Sequence, residues 1–290
     1  MENTAEKIHK AIARAPLLSV HAQRLLQICA STDHDIDDVL EVVRCDATLT
    51  ARVLRVVNSS VYGLLSPINT IDRAVAYLGE RMVTCIALGE SAGKLLKKPL
   101  SGYEAEGGEL WKHDLYTGFA AREIARRCRI ETDVDLAFTA GLLHDIGKAI
   151  IADFLANSAE DFVGGIARGE LADYVDAERQ VLGFDHCEVG LELARQWKLP
   201  NQIHWVVAWH HHPQQAPEEA RPLVYAVHLG DILAMMAGYG TGSDSLQYAI
   251  DQDYVNYIDL TEDDLSQIML TVEEEFDKAI KAMAGEVAGS

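Results

Sequence analysis

Apolar residues recur along this chain at intervals of three and four, the repeat that lays one stripe of side chains along an α-helix. From Asp46 to Ser59 the stripe runs through Leu49, Val53, Leu54, Val56 and Val57, and it stops at Asn58-Ser59-Ser60 and Tyr62-Gly63. Ile71, Ala74, Val75 and Leu78 repeat it up to Gly79. Segments 80–97, 113–127, 133–155, 187–197, 200–211 and 222–237 carry the same spacing. No run alternates apolar and polar residues around an Asn-Gly or Asp-Gly turn, as a hairpin would require. The pattern predicts an all-α protein, a multi-helix bundle. Pro99-Leu100-Ser101-Gly102, followed by Glu104 to Gly108, is the strongest interruption. It places an N-terminal helical subdomain over 1–98, a second subdomain over 99–245 and an acidic helical extension over 246–290.

In that extension Thr261 and Asp264 resemble a capping box opening a final helix. Leu265, Ile268, Met269, Val272 and Phe276 give the helix an apolar face. Eleven acids lie between residues 251 and 290 against Lys278 and Lys281. They read as the solvated face of a packed helix, with a partner-docking helix as the alternative. Arg52, Arg55 and Asn58 form a polar stripe in the N-terminal half, read as a face packing on the C-terminal half or as a contact for a signalling partner.

Composition narrows the function classes. The 290 residues are 49% hydrophobic and 24% charged, which suffices for a sizeable core. The formal charge is −20. Phosphate contacts dominate affinity for nucleic acids, so a general nucleic-acid binder is excluded, and an anionic membrane surface would repel the chain. The cysteines at 29, 45, 85, 128 and 187 are odd in number and lack Cys-x-x-Cys spacing. They read as buried free thiols of a reducing compartment rather than a disulfide framework or a zinc ribbon. The N-terminus is polar, and no uncharged run approaches the 18 or so residues that span a bilayer. The expected location is the cytoplasm.

Eleven histidines carry the candidate chemistry. Residues 140–148 read Ala-Gly-Leu-Leu-His-Asp-Ile-Gly-Lys, so His144 and Asp145 are adjacent in an apolar stretch expected to be helical. Burying an uncompensated carboxylate is costly, and a bridging metal would remove the cost. Adjacent helical residues point about 100° apart, so one ion serves both only from between their directions. A hydrogen-bonded His–Asp pair is the alternative. Lys148 shares their face as an i+3 neighbour of Asp145. Asp231 poses the same burial problem within Val227 to Met236. His113 opens another helix, and His186 sits in a first turn if Asp185 and Glu188 form a capping box. His210 and His211 end a helix, whereas His212 precedes Pro213 and is pushed from helical conformation; a His211–His212 pair is the alternative. His9, His21, His34, His204 and His228 read as ordinary core or surface residues, and Trp197, Trp205 and Trp209 as core or interface aromatics.

The order His113, His144-Asp145, His186, His210-His211, Asp231 resembles the HD superfamily of metal-dependent phosphohydrolases, with Gly141 to Lys148 its most specific segment. The chain is more closely similar to the HDOD family, the HD-related output domain of bacterial signalling proteins. Asp46 to Gly63, then Ile71 to Gly79, resembles that family's N-terminal half, and Trp111-Lys112-His113 and His210 to Pro213 match its habits. The resemblance runs over roughly 10–240 and makes 99–245 the HD-like part. It implies one metal held by His113, His144, Asp145 and Asp231. Asp145 would bridge to a second held by His186, His210 and His211. Glu109, one turn before His113, would be a further ligand or serve its helix dipole. Imidazole with carboxylate implies a divalent transition metal, Fe or Mn ahead of Zn, Ni and Co. Asp145 and Lys148 would carry catalysis in a two-metal phosphohydrolase, with Lys148 on a substrate phosphate. The Gly-Tyr-Pro turn of the HD-GYP phosphodiesterases is missing from Pro213 to Pro222. Most HDOD proteins resemble degenerate enzymes that act as regulators. The resemblance therefore implies a signalling regulator that binds an unseen protein or a phosphate-containing small molecule, with phosphohydrolase as the alternative.

Overall fold

The structure is a computed structural model that describes residues 4–31 and 34–284; Glu286 of the acidic tail lies outside them. Among the described residues fourteen α-helices carry the fold and no strand occurs. The N-terminal helices are α1 (Thr4–Arg14), α2 (Val20–Cys29), α3 (Ile36–Arg44), α4 (Ala47–Val57) and α5 (Ile71–Leu96). Side-chain caps at Ser19, Asp35 and Asp46 open α2, α3 and α4 by accepting the free N–H groups of their first turns. Helix α5 bends at Gly79, where φ 77 and ψ 162 suit glycine alone. The stop expected there is thus a kink in one long rod, against which α2, α3 and α4 pack.

The second half comprises α6 (Glu109–Ala125), α7 (Val134–Gly141), α8 (Lys148–Ile151), α9 (Ala159–Ala167), α10 (Tyr174–Leu182), α11 (His186–Gln196), α12 (Asn201–Trp209) and α13 (Arg221–Met236). Helix α6 lies between α7 and α13. Glycines let these three approach closely. A Cβ on Gly141 would sit 2.9 Å from Gly118 Cα, and one on Gly230 would sit 2.9 Å from the Ala121 nitrogen. The two crossings bring His113, the segment after α7 and Asp231 together.

One apolar core runs from Ile8 to Ala282. The indole N–H of Trp197 donates to the Pro16 carbonyl at 3.0 Å, and Gln23 donates to the Trp197 carbonyl at 2.7 Å. Trp205 and Trp209 pack partly buried against the core, as expected. The last helix, α14 (Glu262–Ala284), opens with reciprocal bonds between Thr261 and Asp264. It buries Ile268, Val272 and Phe276 and packs on α6 and α4. Its acids are partly engaged: Glu275 pairs at 2.9 Å with the buried Arg122, Asp264 with Arg127 at 2.9 Å, and Glu273 accepts from Tyr239 at 2.9 Å. The packed-helix reading describes this contact. The stripe of Arg52, Arg55 and Asn58 divides: Arg52 pairs with Glu90 and donates to the Met283 carbonyl, Arg55 is exposed, and Asn58 ties Leu54 to Ile68.

Two expectations need correction. All five cysteines are free, yet Cys45 is exposed and Cys128 half-buried, because each sits near a helix end rather than on an apolar stripe. The continuous helix expected over 133–155 is broken. Helix α7 ends at Gly141, residues 142–147 form successive turns, and α8 resumes at Lys148. Bonds tighten to the i→i+3 type, from Leu143 to Ala140, Ile146 to Leu143 and Lys148 to Asp145, at 3.1, 3.3 and 3.0 Å. No helix among the described residues is long and apolar enough to cross a membrane.

Candidate metal centre

The broken segment explains how His144 and Asp145 serve one centre. In a regular helix they would diverge, whereas the tight turns aim both inward. The turn needs Gly147: a Cβ there would lie 1.8 Å from the His186 carbonyl oxygen and 2.7 Å from the Gly190 nitrogen. Backbone meets backbone at this point, so neither side can yield. Gly147→Ala is expected to cost about 3 kcal/mol of stability and to lower metal uptake. Unchanged thermal unfolding and unchanged metal content would refute that account.

The structure brings all seven predicted ligands together. Asp145 lies at the middle. Its Oδ2 is 3.5 Å from both His113 Nε2 and His144 Nε2. Its Oδ1 is 3.4 Å from both His186 Nε2 and His210 Nε2. Asp231 Oδ1 lies 3.2 Å from His113 Nε2 and 3.8 Å from His144 Nε2, and its Oδ2 lies 3.9 Å from His211 Nδ1. His211 Nε2 is 3.1 Å from His186 Nε2. An ion about 2.1 Å from each donor sets neighbouring donors about 3.0–3.4 Å apart, close to these spacings. Asp145 Oδ1, Asp231 Oδ2, His210 Nε2 and His211 Nδ1 are buried with no hydrogen-bond partner among the described residues. Each such orphan costs about 1–3 kcal/mol. Carboxylate oxygens and imidazole nitrogens buried without partners are groups that cations would satisfy, so the donor set fits the divalent metal that the sequence implies.

The imidazoles are oriented from behind. His113 Nδ1 donates to the Tyr239 carbonyl and His144 Nδ1 to the Gly141 carbonyl, both at 2.7 Å. His210 Nδ1 donates to the Val206 and Val207 carbonyls at 3.1 and 3.2 Å. His186 Nδ1 donates to Glu178 at 2.8 Å. Each bond fixes the ring with Nε2 facing the centre, the usual arrangement behind metal-bound histidine. His228 supports His210 by donating to its carbonyl at 2.8 Å, a structural role as expected. The His210–His211 pair faces the centre, while His212 has the non-helical φ of −133 expected before Pro213. Cys187 Sγ approaches His210 at 4.0 Å, but from the Nδ1 side, and burial pushes the thiol up to about 12.

Charge is balanced internally. Burial opposes ionisation of Asp145, yet Lys148, His144 and His210 outweigh it and hold the carboxyl well below its usual range. Asp231 is held low against burial by His113 and His144. Burial drives His210 down to about 4 and His211 well below its ordinary value, so both imidazoles are neutral donors at neutral pH. Lys148 is fully buried, with Nζ 2.7 Å from Asp145, 2.5 Å from Asp244 and 3.1 Å from the Thr241 hydroxyl. Those carboxylates overcome burial and hold it charged. Glu109 accepts the Glu106 N–H at 2.7 Å at the start of α6, the helix-opening role of its two readings.

Sequence reasoning missed Asp114, Glu178, Asp244 and Tyr248. Asp114 lies 3.7 Å from His144 Nδ1, and burial holds its carboxyl well above the ordinary range. Glu178 orients His186. It shares an i, i+4, i+8 stripe with Tyr174 and Leu182, and an acid on a buried stripe was its available signal. Tyr248 stacks on His211 with ring centroids 3.9 Å apart.

Comparison with known proteins gives the family and the fold. Residues 15–213 match the family model described as the HDOD domain. An uncharacterized protein of Treponema pallidum (strain Nichols) is 25% identical over 217 residues, 74% of this chain and 40% of that one, so the chain spans less than half of that relative's length. A solved chain from Marinobacter aquaeolei VT8, provisionally named a signal transduction protein, superposes with a TM-score of 0.74 at 20% identity, over 98% of this chain and 65% of that one. A solved chain from Shewanella amazonensis SB2B, provisionally named a phosphohydrolase, superposes with a TM-score of 0.60 at 22% identity, over 97% and 98% of the two chains. At these identities the likeness is one of fold.

Proposed function

The chain belongs to the HDOD family, and on that premise we propose that it is a regulatory protein of bacterial signal transduction. It carries a divalent transition-metal site and acts by binding a partner protein or a phosphate-containing small molecule. The closure of the centre carries this reading. His113, His144, Asp145, His186, His210 and Asp231 are at most 2% exposed. Closed ligand sets mark structural or sensory metal sites, whereas catalytic ones keep a position open to substrate. His113, His144, Asp145 and Asp231 would hold one ion, and Asp145, His186, His210 and His211 a second. Imidazole with carboxylate favours Fe or Mn, with Zn, Ni and Co also suited.

The ammonium of Lys148 beside the central Asp145 favours a second reading, a phosphohydrolase acting on a nucleotide or cyclic dinucleotide. The bound ions would supply positive charge that polarises a phosphoryl group. Lys148 would bind the non-bridging oxygens, and burial would exclude bulk water. Elemental analysis of anaerobically purified protein, paired with a nucleotide and cyclic-dinucleotide hydrolysis screen, separates the readings. About two equivalents of metal without turnover supports the regulator. Turnover that disappears in Asp145→Asn supports the hydrolase. Less than about a tenth of an equivalent after reconstitution overturns both.

A further inference from the structure

The segment from Tyr239 to Asp251 crosses the centre as a strap. It lies past residue 213, where the family match ends. Its ends are pinned: the Tyr239 carbonyl accepts from His113, and the Asp251 N–H donates to His228 Nε2 at 3.0 Å. Ser243 donates twice to the Tyr103 carbonyl, through its N–H at 2.7 Å and its hydroxyl at 2.9 Å. Between these anchors the carboxylate of Asp244 is fully buried. Its Oδ2 lies 2.5 Å from Lys148 Nζ, and the hydroxyls of Thr241 and Tyr248 donate to Oδ2 at 2.9 and 3.0 Å. The ammonium that holds this buried carboxylate is also a group that would bind the non-bridging oxygens of a phosphate, and the two hydroxyls fasten the carboxylate in that place.

We propose that Asp244 fills the anion position of Lys148 from within the chain, so that the folded protein excludes a phosphate-bearing ligand until the strap leaves. This rests on the reading of Lys148 as the phosphate-binding group. A tethered carboxylate competes at an effective concentration in the millimolar range or above, against which a free phosphate ester is at a disadvantage. The approach is also unfavourable to anions. A cleft of about 380 Å³ outside His211 and Tyr248 is lined by Asp173, Asp251 and Asp253, and no Lys or Arg lines it among the described residues. Tyr248 both lines this cleft and lies against Lys148, with Nζ 5.4 Å from its ring centroid. Withdrawal of Tyr248 with Asp244 would open the cleft toward the lysine.

Calorimetric titration of inorganic phosphate into the full chain tests the proposal. Asp244→Asn is expected to bind phosphate about tenfold or more tighter than wild type, and the gain is expected to vanish in the double variant Asp244→Asn/Lys148→Gln. A gain that persists without Lys148 overturns the proposal, since relief of general negative charge then explains it. No gain in Asp244→Asn, with weaker binding in Lys148→Gln alone, overturns the internal anion and leaves Lys148 as the phosphate group. No change in either variant overturns both. Should Asp244→Asn lose its helical circular dichroism, Tyr248→Phe makes the same comparison by removing one donor while keeping the ring. The expected gain there is about threefold, and no gain overturns the proposal.

Discussion

On the two-ion assignment proposed above, Asp145→Asn is expected to empty both halves of the centre, taking metal content from about two ions per chain to below about a tenth of one. Among the described residues Asp145 alone approaches both histidine pairs within 3.5 Å, one through each oxygen. The amide keeps the volume but removes the charge and turns an N–H₂ toward one of the two pairs. Loss of an outer support alone costs about 10–100-fold in metal affinity, and loss of a bridging ligand acts on two ions at once. Asp114→Asn is the control, lying beside the rear nitrogen of His144 rather than between the histidine pairs; it should change metal affinity by less than about tenfold. Elemental analysis of both variants decides the matter. Full metal content in Asp145→Asn would remove that residue from the centre.

Lys148→Met should cost the metal-free protein about 3–5 kcal/mol, because it leaves Asp145 and Asp244 buried without their shared counter-ion. For a chain of this size that is a fall in Tm of about 10 °C. Adding manganese should recover part of the loss, since a cation beside Asp145 replaces the missing charge. The pH dependence has a definite sign. Lys148 is held above its ordinary value, so its stabilising contribution is complete below about pH 10.4 and disappears only as pH rises through the folded value. The gap between variant and wild type should therefore be equal at pH 7 and pH 9. A Tm within about 2 °C of wild type in chelator would show that the pairing is not what holds this lysine in place.

Much of this architecture was legible in the sequence, and the exceptions share a cause. The helical repeat located α4 to α7 and α11 to α14 because their stripes are amphipathic or continuously apolar. The seven candidate ligands stood out because ionisable residues interrupt apolar runs, as Asp231 does between Leu229 and Ile232. Periodicity could not foresee the break after Gly141. The backbones packed against it, the His186 carbonyl at Gly147 and Gly118 at Gly141, arrive from distant parts of the chain. Glu178 escaped notice for the converse reason, since the helix that carries it, α10, was not among the segments the repeat picked out. Asp244 sits in the Gly-Thr-Gly-Ser-Asp-Ser run from Gly240, which carries no repeat at all. Only the folded chain shows it reaching across 96 positions to Lys148.

The seating of α14 has a consequence for synthesis on the ribosome. Arg52 of α4 finds the Met283 carbonyl only across 231 positions of sequence. At about 5–20 residues per second, the surfaces of α4 that α14 will cover wait tens of seconds for their partner. The N-terminal helices can assemble on α5 during that interval, but with an apolar seam open to water. The nascent chain is thus most vulnerable to chaperone capture and aggregation in the interval just before α14 emerges, when most of the core that α14 covers is already made.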